Sequence, residues 1–303
     1  MPCAVGDAEC CRRHKRSSQC EQPNRAEPPR PQIGYEAAAC GRRGSNLALL
    51  TSIAAMQQVN CTWVCIGASL HCISSRHFWH RAQRAMVRGQ EWESECKAVV
   101  QKRYTLDLHG RDAVVAGLFG GDWLPLVSAA VGSLGVVHGF EPTDAVNVSR
   151  ATAAANELTN VRIAHRCLSR ESTMKAFCTR DRRGVSFGDK SHIAESHTAD
   201  CVTERIQCTA LDQALPWQSQ PVGFLLLDVE GHEEEALQGA LDLTRRWLPL
   251  LASEKPLLGT RIFNQHLQGL GYRGDASCPG LHFYRTSAAG RARRAGGAGS
   301  GDG

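Results

Sequence analysis

The sequence predicts an α/β fold with a doubly wound sheet. From Asp112 onward, short apolar runs alternate with amphipathic segments, a pattern typical of strands that alternate with helices. The run GFLLLDV at 223–229 is continuously apolar, as expected for a central parallel strand that is buried on both faces. Hydrophobic residues make up 42% of the 303 residues and charged residues 21%, so a core is expected and wholesale disorder is excluded.

Composition divides the chain into four parts. Residues 1–44 are rich in proline and charge and lack an apolar period, which predicts a disordered tail. Residues 45–104 are predicted as a helical extension, because the apolar residues of their second half keep an approximately helical spacing. Residues 105–286 contain the α/β pattern. Residues 287–303 are rich in glycine and arginine, which predicts a second disordered tail.

The first half of the domain is predicted to contain three strands, at 113–119, 136–141 and 161–165. The first strand ends in a pair of glycines, and a helix follows with Pro125 in its first turn, where proline is tolerated. The second strand leads into a helix that Thr143 or Asp144 caps and that ends near Leu158.

The second half is predicted to contain three more strands, at 223–229, 248–254 and 281–285. Residues 167–208 mix polar and short apolar pieces, which favours a hairpin or meander insertion. A helix is predicted over 232–247, with acidic residues in its first turn and arginines near its end. Another helix is predicted to stop at Gly271.

The charge distribution and the hydropathy of the sequence argue against a nucleic-acid partner and against a membrane span. The net charge of +5 comes from the two tails, and the middle of the chain is neutral. We therefore expect no nucleic-acid partner, since such proteins concentrate lysine and arginine on the folded domain. The most apolar stretch, at 47–66, is interrupted by Gln57, Gln58 and Asn60, so we expect no stable membrane span.

The 14 cysteines do not follow the paired spacing of a structural zinc site. No apolar run follows the charged residues at the beginning of the sequence, as a secretory signal would require. The sequence therefore favours incidental reduced thiols and a cytoplasmic location.

Two features predict a site for a nucleoside. Gly117 and Gly121 lie in the turn after the first strand, where glycine allows a tight turn and a close approach to a ligand. Glu141 ends the next strand, about 20 residues further on, where an acid can bind the two hydroxyls of a ribose.

A second group of polar residues follows the buried strand at 223–229. Asp228, Glu230 and His232 come at its carboxyl end, the edge at which open α/β sheets bind ligands. Glu230 could instead complement a helix N-terminus. That alternative suits Asp228 less well, since a lone charge in an apolar strand is costly to bury.

The segments FEPTDAVNVSRATAAANELTNVRIAHRCLS, CTALDQAL and LLLDVEGHEEEALQGALDL resemble the FkbM-type methyltransferase family over residues 110–286. The resemblance implies a Rossmann-like sheet of the S-adenosylmethionine-dependent methyltransferase type and O-methylation of a sugar, a glycolipid or another small molecule. It also implies that Gly117, Gly121 and Glu141 contact S-adenosylmethionine and that Leu168 and Ser169 flank its adenine. The expected partner is thus a small-molecule or glycan acceptor.

The resemblance further implies attack by a substrate oxygen on the sulfonium methyl group. His232 has a suitable unperturbed pKa for a general base, and Asp228 is the alternative. Asp228 and Glu230 could hold a divalent cation, but the sequence offers no further ligands, so no metal is expected.

The chain departs from the family at its first motif, where an Asp and an Asn are usual. Val115 and Phe119 stand at those positions. The alternative is therefore a degenerate methyltransferase fold that binds a ligand without catalysis.

Overall fold

The structure is a computed structural model. It describes residues 47–74, 81–182, 191–194, 201–215 and 220–287. The predicted tail at 1–44, and all of the tail at 287–303 except Ser287, lie outside the described residues. All described residues belong to one compact unit.

Seven strands form the central sheet, in the order β12–β13–β11–β10–β3–β4–β5. The strands from β11 to β5 are parallel, and β13 runs antiparallel to both of its neighbours. The chain moves outward from β3 to β5 and then returns to place β10 beside β3, which makes a topological switch point between those two strands. The bounds are β3 Asp112–Ala116, β4 Val137–Phe140, β5 Val161–Ala164, β10 Val222–Leu227, β11 Leu250–Ser253, β12 Tyr272–Cys278 and β13 Leu281–Thr286.

Helices cover both faces of this sheet. Val114 and Leu225 point into one apolar cluster, and their neighbours Val115 and Leu226 point into another, because side chains alternate along a strand. This arrangement explains why β10, and β3 after Asp112, contain no polar side chain. The helices are α1 Leu47–Met56, α2 Arg81–Val87, α3 Ser94–Arg103, α4 Thr105–Leu108, α5 Leu124–Val131, α6 Val146–Ala155, α7 Leu211–Ala214, α8 Glu233–Gln238 and α9 Leu241–Trp247.

The extension predicted as helical over 45–104 contains helices α1 to α3 and also an antiparallel hairpin, formed by β1 (Cys61–Ile66) and β2 (Ser69–Ser74). The hairpin packs on α6 of the domain, where the side-chain amide of Asn156 bonds both the N–H and the C=O of Leu70. Apolar residues of α1 and β2 share a cluster with α6. The extension is thus an integral part of the domain's packing.

The insertion predicted as a hairpin or meander is a four-stranded sheet in the order β6–β9–β7–β8. Its long strands β7 and β9 pair antiparallel, and the short β6 joins β9 in parallel. The bounds are β6 Cys167–Leu168, β7 Thr173–Asp181, β8 His192–Ile193 and β9 Cys201–Thr209.

The helix predicted over 232–247 is two helices, α8 and α9, separated at Gly239. A side chain at Gly239 would overlap the backbone carbonyl of Ser169. The carboxylate of Asp212 then accepts hydrogen bonds from the N–H groups of Asp242 and Leu243, both at 2.9 Å, which satisfies the new helix start. A non-local contact therefore divides a locally continuous helical pattern.

Two further differences concern the end of the domain. The helix predicted to stop at Gly271 is a π-turn (Phe263–Leu267) followed by a 3₁₀ turn, and Gly271 ends it with a φ of +85°. The strand β12 was not predicted, because its residues YRGDASC form no apolar run. Among the described strands it pairs with β13 alone, at the edge of the sheet.

The prediction of incidental reduced thiols is wrong for the described cysteines, none of which is free. Cys96 of α3 is bonded to Cys278 of β12, so a disulfide ties the extension to the central sheet. The other described pairs are Cys61–Cys72, Cys167–Cys208 and Cys178–Cys201.

Within the described ranges, no helix combines the length and the apolar composition needed to cross a bilayer.

Candidate functional site

A cavity of about 260 Å³ opens at the carboxyl ends of β3, β4 and β10. This is the switch-point edge of the sheet, where α/β proteins place their ligands. Residues of the extension and of the insertion complete its walls. The predicted site residues that line it are Gly117, Glu141, Leu168, Asp228, Glu230 and His232.

Gly117 is the point at which the turn after β3 meets β10. Its φ is +82°, and a side chain there would overlap the backbone carbonyl of Asp228. The turn therefore needs glycine for the close approach of two protein segments as well as for its conformation. Gly117 and Asp228 are held together at the floor of the cavity.

Glu141 braces the same turn. Its carboxylate accepts a hydrogen bond from the Phe119 N–H at 2.8 Å and from both the N–H and the hydroxyl of Thr143, at 2.9 and 2.6 Å. Phe119 has a φ of +44°, which a non-glycine residue rarely adopts. A ribose bound at Glu141 would share a carboxylate that already organises the loop.

Two predicted cofactor residues lie off the cavity wall. Gly121 has a φ of +73° and packs against the backbone of Ser149 in α6, so its glycine is required by helix packing. Ser169 is fully buried, and its hydroxyl lies 3.2 Å from Nε2 of His232. Leu168, next to Ser169, does line the cavity.

Carboxylates dominate one side of the cavity. Asp228 follows β10, and burial raises its pKa well above the ordinary value, with further contributions from Glu93 and Glu254. Oxygens of Asp228, Glu230 and Glu254 all lie within 4.8 Å of one another, close enough to share a cation. Acidic groups of this kind also occur without an ion, so this spacing alone assigns no metal.

His232 is uncharged at neutral pH. Burial lowers its pKa to about 4, and the nearby Lys175 ammonium lowers it further. Its Nε2 lies 3.4 Å from Lys175 Nζ and 3.2 Å from Ser169 Oγ. A histidine in this setting is a weak base, and Asp228 is the stronger candidate for that role.

The extension contributes residues to one wall of the cavity. Trp92 and Glu93 line the cavity, and the indole N–H of Trp123 donates to Glu93 at 2.7 Å. Buried Lys97 of α3 pairs with Asp122 at 2.8 Å. Glu254 was detectable in principle, since it ends a predicted strand, whereas no local signal marked Glu93.

Val115 is fully buried and packs in the apolar cluster on one face of the sheet. An aspartate at this position would put a charge among apolar side chains, which is costly. Phe119, the second departure from the family pattern, does line the cavity.

A family model described as the methyltransferase FkbM domain matches residues 113–273. A search of the curated proteins found no relative of this chain. Among solved structures, the chain is similar to a methyltransferase FkbM from Methylobacillus flagellatus KT, at 13% identity and a TM-score of 0.40. That match covers 80% of this chain and 59% of the other, so the chain spans less than two thirds of that protein.

Two other solved structures are similar over 64% of this chain, each at 14% identity. One is a putative rRNA-methylase from Clostridium thermocellum, covered over 94% of its length with a TM-score of 0.37. The other is a SAM-dependent methyltransferase from Aquifex aeolicus, covered over 97% with a TM-score of 0.30.

The family match spans more than half of the chain, from β3 to the start of β12, and includes the glycine turn, Glu141 and Asp228. The chain therefore belongs to the FkbM methyltransferase domain family.

Proposed function

We propose that this protein is an S-adenosylmethionine-dependent methyltransferase that methylates a hydroxyl group of a small molecule, a sugar or a glycolipid. The observation that carries the proposal is that Gly117 in the glycine turn, Glu141 and Asp228 line one cavity, at the switch point of the sheet. The strand order supports a Rossmann-like, doubly wound sheet of the methyltransferase type.

We assign the cofactor to this cavity because residues suited to each part of it line the walls. Glu141 is placed to bind the ribose hydroxyls, and Leu168 to pack against the adenine. The methionine end is assigned to the part of the cavity that Gly117 and Asp228 line. Gly121 and Ser169 support this site by packing, one behind the turn and one behind His232.

S-adenosylmethionine supplies a methyl group on a positively charged sulfur, which is a good leaving group. The protein's task is then to align a hydroxyl oxygen with that methyl group and to receive the hydroxyl proton. Asp228 receives the proton in our proposal, because its raised pKa makes it a better base than an ordinary carboxylate. His232 and Glu230 orient the acceptor from the same loop.

Apolar residues of the extension and of the insertion form part of the cavity walls. Ala82 and Trp92 of the extension face the site, as do Phe177 and Ile193 of the insertion. Their apolar surface suits a small organic or glycan acceptor.

A second candidate function is ligand binding without catalysis. It is favoured by Phe119, which occupies the cavity wall where the family usually has asparagine. Phe119→Asn tests this reading more directly than Val115→Asp, since the strained φ at 119 suits asparagine and position 115 is in the core. A large gain in cofactor affinity would indicate a degenerate site.

The proposal is tested by calorimetric titration of S-adenosylmethionine into the full chain, followed by transfer of labelled methyl groups to a panel of methyl glycosides and simple alcohols. Glu141→Gln should weaken cofactor binding at least tenfold, while the exposed Glu171→Gln should leave it unchanged. Asp228→Asn should lower the transfer rate by about 10²–10⁴, the usual worth of a general base. A folded chain that does not bind the cofactor overturns the proposal, and binding without transfer supports the second candidate.

A further inference from the structure

The cavity is asymmetric in charge. On the β4–β5 side its lining includes Leu168 and the cation of Arg166, beside Glu141. On the side of β10 and the extension, five carboxylates face the cavity. These are Glu93, Asp122, Asp228, Glu230 and Glu254. Charge complementarity therefore assigns the β10 side to the cationic part of a ligand.

Cations of the protein already neutralise part of this acidic side. Asp122 pairs with Lys97 at 2.8 Å, and Glu254 pairs with Lys255 at 2.8 Å. Within the described residues, Glu93 has no lysine or arginine within salt-bridge distance, and one oxygen accepts only from the Trp123 indole. Glu93 is thus a cavity-lining carboxyl group that is available to pair with a cationic group of a ligand.

The position of Glu93 is defined from several sides. Its backbone has a φ of +53°, and its oxygen Oε2 is held by Trp123. Oε1 lies 3.2 Å from where a Cβ of Gly280 would stand, so the absence of a side chain there leaves it room. The disulfide between Cys96 and Cys278 fixes this part of the extension to the sheet. The carboxylate is therefore preorganised.

We propose that the Glu93 carboxylate binds the α-ammonium group of S-adenosylmethionine, as a cofactor-binding residue contributed by the N-terminal extension. The inference rests on the proposed function. If the nucleoside binds at Glu141 and the sulfur near Gly117 and Asp228, as proposed above, the remaining methionine atoms would extend toward the acidic side. Glu93 lies outside residues 113–273, so the contact belongs to this chain and not to the matched domain.

The electrostatics of the cavity agree with this role. Burial raises the pKa of Glu93 to about 7, helped by the carboxylates of Asp122 and Glu254 and opposed by the Trp123 hydrogen bond and the Lys97 ammonium. Glu93 in turn raises the pKa of Asp228. A bound ammonium group would lower the pKa of Glu93, so the cofactor would displace a proton below pH 7. Affinity should then rise between pH 6 and 8.

The test compares three ligands in calorimetric titrations of the full chain. S-adenosylmethionine and S-adenosylhomocysteine carry the ammonium group, and 5′-methylthioadenosine lacks it. Glu93→Gln should weaken the first two ligands about 10- to 100-fold, the worth of a charged hydrogen bond, and should leave the third within about twofold. The exposed Glu95→Gln, two residues away, should change none of the three.

A pH series provides a second readout. The wild-type affinity for S-adenosylhomocysteine should rise between pH 6 and 8 with release of a proton, and Glu93→Gln should flatten this dependence. Unchanged affinity for the two amino-acid-bearing ligands in Glu93→Gln overturns the inference, as does an equal loss for all three. If the wild-type chain binds none of the ligands, the proposed function itself fails.

Discussion

Gly117 and Asp228 meet at the floor of the cavity so closely that a side chain at position 117 would overlap the Asp228 carbonyl. Gly117→Ala should therefore unfold at lower urea, losing about 2–4 kcal/mol, since it adds both a clash and an unfavourable φ. The measurement is equilibrium urea denaturation.

Gly120→Ala is the matched control. A Cβ at Gly120 meets nothing within 4 Å, and its φ is not in the left-handed range. Equal losses for the two variants would contradict the account of Gly117 as a close-approach position.

The disulfide between Cys96 and Cys278 should contribute more to stability than the one between Cys61 and Cys72. The two pairs are separated by 182 and 11 residues, respectively. Loop-closure entropy predicts about 5 kcal/mol for the long connection and about 3 kcal/mol for the short one. Paired Cys→Ser variants compared by urea denaturation under oxidising conditions measure the difference.

A thiol titration tests whether these cysteines are bonded in pairs. Thiol titration of the denatured chain without reductant should find the described cysteines unavailable. Full reactivity of these thiols, or equal stability of the two double variants, would contradict this prediction.

The buried ion pair of Lys97 and Asp122 should be costly to break. Lys97→Met leaves the Asp122 carboxylate without its partner at 2.8 Å, and we expect a loss of about 3–5 kcal/mol. Lys102→Met on the exposed face of the same helix is the control, with no measurable change expected. A similar urea midpoint for both variants would refute the role of the pair.

His71 should make stability depend on pH. It is 4% exposed, its Nδ1 has no hydrogen-bond partner among the described residues, and burial lowers its pKa to about 4. Because the folded pKa lies below the unfolded value, stability is lost as the pH falls through 6.5 toward 4. From these two pKa values, the loss at pH 5 is about 2 kcal/mol.

Urea midpoints at pH 7.5 and pH 5 measure this loss in the wild type and in His71→Gln, which should depend less on pH. The exposed His165→Gln should keep the wild-type dependence. If His71→Gln leaves the pH dependence of the urea midpoint unchanged, the prediction is wrong.

The parallel core of the fold could be predicted from the sequence because the patterns that mark its strands are local. The apolar run at 223–229 marked β10, and the glycine turn followed by Glu141 marked the ends of β3 and β4. Asp228 stood out because it is charged in an apolar segment. Since the carboxyl ends of parallel strands meet at one edge, these positions converge without further information.

The tertiary structure decided what depends on contacts between distant segments. Asp212 caps the start of α9 and so helps to divide a predicted helix into two. Cys96 is bonded to Cys278, which lies 182 residues further along the chain. Glu93 becomes part of the cavity only because the extension packs against Trp123. The pKa values of His232 and Asp228 diverge because burial and neighbouring charges act on them in opposite directions. Sequence by itself determined which strands and which chemical groups are present, whereas long-range packing decided which of those groups share one cavity.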